Sequence, residues 1–185
     1  MESTWLTRAN GITSCRTALI IPLTYAILNL WWLVASLIFV LAVVTDVFDG
    51  HIARKYNEVS PLGGLLDHGT DAVMVTAGAW ALAQLNIINP YLWPLIILAF
   101  TQYMLDSKAL AGKTLRTSII GRSNGVAYFA LLGTVVIASS LALLPILWLS
   151  QFMQFIVERL VPIAAWIMVA STLVSMVDRL VALRQ

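Results

Sequence analysis

Residues 45–75 read TDVFDGHIARKYNEVSPLGGLLDHGTDAVMV. Their four aspartates form two pairs: Asp46 and Asp49 are three residues apart, Asp67 and Asp71 four apart. Either spacing puts both carboxylates of a pair on one face of a helix. At about 100° per residue, Asp46, Asp49, Gly50 and Ala53 share an arc of about 100°, and Gly63, Asp67 and Asp71 one of about 80°. The stretch therefore predicts two helices joined by a short loop. It also predicts that they are antiparallel neighbours whose acidic faces meet.

Outward from this stretch the chain is apolar. Of its 185 residues 60% are hydrophobic and 11% charged, whereas a soluble domain carries about 25% charged residues. So many apolar side chains cannot fit inside one soluble core of this size, so the surrounding medium is lipid. Apolar runs near 10–30, 32–54, 62–84, 90–110, 122–145 and 152–181 predict six spanning helices. The expected fold is all-α, one polytopic membrane domain over 1–185. The polar segment 1–9, with Trp5, is expected to lie along the interface. Arg8 and Arg16 ahead of the run Thr17 to Leu28 resemble a signal peptide, but no small-x-small site follows. The run is read as a first helix that stays. Cys15 has no partner for an internal disulfide, since it is the single cysteine, and reads as a small packing residue.

The turns separate by charge. Tyr25 to Trp31, Leu85 to Tyr91 and Leu141 to Ser150 hold no Lys or Arg. The opposite set holds Arg8, Arg16, Arg54, Lys55, Lys108, Lys113, Arg116, Arg122, Arg179 and Arg184. Cationic turns stay in the cytosol, so both termini and the loops 51–61 and 108–121 are placed there. Arg159 departs from this pattern and is read beside Glu158 at the far interface. Asp106, Glu158 and Asp178 are expected at interfaces. Trp31, Trp32, Trp93 and Trp148 fall at the cation-free ends, as interfacial anchors do. A net charge of +2 gives no reason to expect nucleic acid.

Four converging carboxylates at the end of a bundle repel one another and are costly to bury. Of the cations, Arg54 and Lys55 alone are close in this stretch. Two divalent ions would balance the charge. Oxygen donors suit Mg²⁺ or Mn²⁺, and paired metals clamp charge in displacement at phosphorus. Helix capping explains the aspartates poorly, because Asp46 and Asp49 come late in their helix, where negative charge is unfavourable. Gly50, Ala53, Gly63 and Gly64 leave room for a bulky ligand, and also suit close helix packing.

The pattern Asp46-x-x-Asp49-Gly50-x-x-Ala53-Arg54, eight residues, then Gly63-x-x-x-Asp67-x-x-x-Asp71, resembles the signature of the CDP-alcohol phosphatidyltransferase family. The resemblance implies a six-helix membrane enzyme of phospholipid synthesis that is commonly a homodimer. It implies that Asp46, Asp49, Asp67 and Asp71 hold one or two divalent ions on the CDP diphosphate, and that Asp71 is the general base. Gly50, Ala53 and Gly63 would line the nucleotide pocket with Arg54 beside them. Thr13, within Asn10-Gly-Ile-Thr13, resembles a donor-binding segment. The implied reaction passes a phosphatidyl group from a CDP-alcohol to a hydroxyl acceptor and releases CMP.

Chain size and the basic stretch 108–122 favour CDP-diacylglycerol as donor and glycerol 3-phosphate, or another small alcohol, as acceptor. Lys113, Arg116 and Arg122 are the candidate acceptor-binding cations. The run Ser60-Pro61-Leu62-Gly63 to Asp71, with His68-Gly69, instead resembles the choline/ethanolamine phosphotransferase branch. That branch uses a CDP-amino-alcohol and a lipid hydroxyl. His68 lies about 100° round the helix from Asp67 and is expected to face away from the metals. His51 is given no role. A cation transporter is the rival from another class, but such sites sit near the midplane on broken helices. The bacterial inner membrane is the expected location.

Overall fold

The structure is a computed structural model that describes residues 16–55, 61–106 and 119–182. All regular structure among the described residues is helical. In chain order the helices are α1 (Ile20–Leu28), α2 (Trp32–Lys55), α3 (Pro61–Gln84), α4 (Leu92–Asp106), α5 (Ile119–Leu141), α6 (Leu147–Phe155) and α7 (Val161–Ala182). Residues 16–18 form a helical turn leading into α1. A π-helical turn, Ile156–Leu160, joins α6 to α7.

The order agrees with the sequence reading, with two corrections. The last predicted helix, near 152–181, starts earlier, at Leu147, and contains the π turn. Pro162 follows that turn. It has no N–H to give Glu158 and its ring crowds the Glu158 carbonyl, which is what opens a helix there. Glu158 and Arg159 are therefore exposed in the middle of a long helical element rather than at its end. Second, among the described residues α2 and α3 pack little on each other. α2 packs mainly on α5 and α1, and α3 mainly on α1 and α4. A short connection fixes direction, but the first helix takes the space between.

Small side chains mark the crossings. Ala26 (α1), Ala35 and Ala42 (α2), Ala81 (α3) and Ala165 (α7) are buried, which lets backbones approach where lipid gives no hydrophobic drive. Larger side chains fill the centre: Leu23, Ile27, Met74, Leu82, Val135 and Val136. Polar ties then fix α7. Tyr128 of α5 bonds Thr172, Ser171 Oγ donates to Asn124 Oδ1 at 2.6 Å, and Gln102 Nε2 of α4 donates to the Met176 carbonyl at 3.0 Å.

The cation-free turns are tight. After α3, Ile87 N–H bonds the Leu82 carbonyl and Asn86 N–H that of Ala83, with Asn86 at φ 56°. After α1, Trp31 N–H bonds Ala26 and Leu30 N–H bonds Ile27, with Leu30 at φ 59°. Both are Schellman closures, and Asn86 suits the left-handed position better than Leu30 does.

The outer surface is apolar. Ile21, Leu147 and Ile167 are 78%, 74% and 64% exposed, so the bundle turns large aliphatic groups outward, as suits a protein in lipid. Two helical elements, Ile119–Leu141 and Leu147–Val181, are long and apolar enough to cross a membrane, and Arg16–Leu28, Trp32–Phe48 and Leu92–Leu105 are shorter apolar helices.

Candidate functional site

Two helices deliver carboxylates to one point. Asp46 comes from the second half of α2, Asp67 and Asp71 from the second and third turns of α3. At their centre is the guanidinium of Arg16, from the turn preceding α1. Its Nη1 donates to Asp46 Oδ1 and its Nη2 to Asp67 Oδ1, while Nη2 lies 3.5 Å from Asp71 Oδ1. Arg16 is wholly buried, and the three aspartates are about one-third to two-fifths exposed. Arg16 thus sits where the chain sequence alone offers Arg54 and Lys55 as the nearby cations.

His68 is a second correction. One ligand atom each from Asp67, His68 and Asp71 lie within 4.8 Å of one another. The ring turns toward the carboxylates because His68 and Asp71 are three residues apart, neighbours on one helix face. Its angle to Asp67 alone gives the opposite expectation. The ring also meets Tyr103 edge-on, centroids 6.3 Å apart.

The residues fit a divalent cation. Carboxylate oxygens from two helices are hard donors, an imidazole nitrogen is adjacent, and the cluster already stabilises a positive charge, that of Arg16. Asp49, Gly50, Ala53, Arg54 and Gly63 belong to α2 and α3, and their side chains lie outside the described ones. Thr13, Lys113 and Arg116 lie outside the described residues.

A cavity of about 610 Å³ opens beside the cluster, lined by Asp46, His68 and Asp71 on one side and by Arg122, Asn124, Gly125 and Arg179 on another. Arg122 stands in the first turn of α5, and Arg179 comes from the end of α7. The Arg179 guanidinium lies 5.0 Å from the centroid of the Tyr103 ring, a cation–π contact that orients it. Tyr103 is buried against the cavity wall, and among the described residues its hydroxyl has no hydrogen-bond partner. The sequence reading missed Arg16, Tyr103 and Arg179 as site residues. Each is distant in sequence from the aspartates and carries no motif of its own.

This arrangement is that of a helical membrane protein with an acidic centre facing a largely apolar cavity that two arginines enter. A family model for CDP-alcohol phosphatidyltransferase matches residues 6–177, and the chain belongs to that family. Similar proteins named CDP-diacylglycerol--glycerol-3-phosphate 3-phosphatidyltransferase occur in Rickettsia bellii, 46% identical over 69 residues (36% of this chain, 38% of that protein). One in Cereibacter sphaeroides is 35% identical over 73 residues (39% and 33%), and one in Blochmanniella floridana 42% identical over 48 residues (25% and 25%). These matches span well under half the length of each relative.

Proposed function

We propose that this chain transfers the phosphatidyl group of CDP-diacylglycerol to the hydroxyl of glycerol 3-phosphate or a similar small alcohol, with release of CMP. The carrying observation is that Asp71 and two arginines, Arg122 and Arg179, line one cavity. A carboxylate can accept the acceptor's proton, and guanidinium groups hold a phosphate by paired N–H bonds. The names of the related proteins support the same donor and acceptor.

In this reading Asp46, Asp49, Asp67 and Asp71 hold one or two Mg²⁺ or Mn²⁺ ions. Divalent metal supplies charge neutralisation for the donor diphosphate. The chain's own residues do the rest. Arg122 and Arg179 seat the acceptor phosphate, with Lys113 and Arg116 nearby in sequence. Asp71 takes the proton as the acceptor oxygen bonds to the lipid-bearing phosphorus and the bond from that phosphorus to CMP breaks. Thr13, Gly50, Ala53, Arg54 and Gly63 hold the cytidine nucleotide, by family resemblance. Six helices span the bilayer, the site faces the cytosol, and the protein works as a homodimer in a bacterial inner membrane.

The test is CMP release by purified protein with Mg²⁺, CDP-diacylglycerol and a panel of alcohols, with CDP-choline plus diglyceride as the competing pair. Turnover with that pair alone would replace this reading by the amino-alcohol one that His68-Gly69 suggests. Asp71→Asn is expected to lower kcat by about 10²-fold or more, the scale of lost general-base catalysis, while CDP still binds. An active Asp71→Asn enzyme removes Asp71 as base.

A further inference from the structure

The aspartate cluster contains a cation that the proposed reaction does not use. Arg16 is completely buried and joins Asp46 of α2 to Asp67 of α3, with Asp71 at 3.5 Å. Its guanidinium is the counter-charge these carboxylates have, and another cation reaches them only if it moves. Asp67 and Asp71 also belong, with His68, to the group whose ligand atoms come within 4.8 Å and could hold a metal ion. The same carboxylates therefore have two claimants. An oxygen that accepts a charged N–H bond offers less of its negative charge to a metal, and a guanidinium beside a divalent ion is repelled by it.

We propose that Arg16 is an internal placeholder: its guanidinium occupies the cation position of the aspartate cluster when metal is absent and competes with divalent metal for Asp46 and Asp67. The inference rests on the reading that these aspartates bind a divalent cation. Its physical content is a trade. By tying the turn before α1 to α2 and α3, Arg16 keeps like-charged side chains gathered before any metal arrives. In return it lowers metal affinity, because its guanidinium has to give way. A supporting role has the opposite sign. If Arg16 held the carboxylates by outer oxygens and left the inner ones to the metal, removing it would loosen the site and weaken metal binding.

The measurement is Mn²⁺ binding alone, without nucleotide, followed by the loss of the free-ion electron paramagnetic resonance signal on the full chain in detergent. Arg16→Gln keeps length and hydrogen bonding without charge. Its Kd for Mn²⁺ is expected to fall about tenfold, within the usual range of coupling between two ligands. Its melting temperature in chelator is expected to fall below that of the parent, and Mn²⁺ to restore it. Mn²⁺ binding that is unchanged or weaker overturns the placeholder role. If Arg16→Gln does not survive removal of metal, Arg16→Lys carries the test. Its single ammonium cannot fork between two carboxylates, so Mn²⁺ should bind it more tightly than the parent, and equal or weaker binding overturns the idea. Should neither parent nor variants take up Mn²⁺ at millimolar concentration, the metal reading fails with it. A parent that binds while the variants gain nothing leaves that reading intact and removes the placeholder alone.

Discussion

Arg122 and Arg179 enter the cavity from different helices, α5 and α7, and no aspartate of the cluster lies between them in sequence. If they seat a phosphate, losing one removes charge-assisted hydrogen bonds of about 1.5–3 kcal/mol, roughly ten- to a hundredfold in binding. Arg122→Gln is expected to raise KM for glycerol 3-phosphate by that order and leave KM for CDP-diacylglycerol unchanged. Steady-state kinetics with each substrate varied in turn checks this, and a rise confined to the donor would move Arg122 to the nucleotide side. At this scale the sequence was half legible. Asp67 and Asp71 could be placed together because a four-residue spacing carries its own geometry, and Asp46 came to them through the short connection between the two helices. Arg16 could not, since its partners stand 30 and 51 residues away and only tertiary packing unites them. His68 was legible in principle: comparison with Asp71, not Asp67, gives the observed face.

Between helices, glycine has two different meanings here. A Cβ on Gly133 would come within 2.7 Å of the Phe39 ring, and one on Gly78 within 2.6 Å of Leu132. Those glycines let α5 close on α2 and α3 on α5. A Cβ on Gly125 would meet nothing within 4 Å, and Gly125 lines the cavity. Gly133→Ala is therefore expected to destabilise by about 1–3 kcal/mol through overpacking, seen as a lower melting temperature in detergent. Gly125→Ala should be neutral or slightly stabilising, as alanine is the better helix former by about 1 kcal/mol. If both variants melt alike, the close contact with Phe39 does not hold. Helix order was readable from the apolar runs, because each run reflects one chain segment meeting lipid. Which helix neighbours which was not. That depends on shape, and α1 packing against both α2 and α3 leaves no local trace.

Across the whole molecule, the site lies at one end. Asp46 is fourteen residues beyond the start of α2 at Trp32, about 21 Å along a helix axis at 1.5 Å per residue. Tyr103, Arg122 and Arg179 likewise sit at the ends of α4, α5 and α7 remote from Leu30, Asn86 and the turn after Leu141. Those three turns lack Lys and Arg, whereas the site end carries Arg16, Arg122 and Arg179. Under the proposed function a water-soluble acceptor reaches the site from that side, which the positive-inside rule predicts to be cytosolic. Single-cysteine mapping tests this, because Cys15 is the one cysteine to remove first. With Cys15→Ser as background, Asn86→Cys and Leu143→Cys should react with a membrane-impermeant maleimide on spheroplasts, and Gln185→Cys only after the membrane is opened. Labelling of Gln185→Cys on intact spheroplasts would put the aspartates on the wrong face for a cytosolic acceptor. Reaction at Asn86→Cys but not Leu143→Cys would mean that the chain between them crosses an odd number of times, breaking the six-span arrangement even if the site stays where it is.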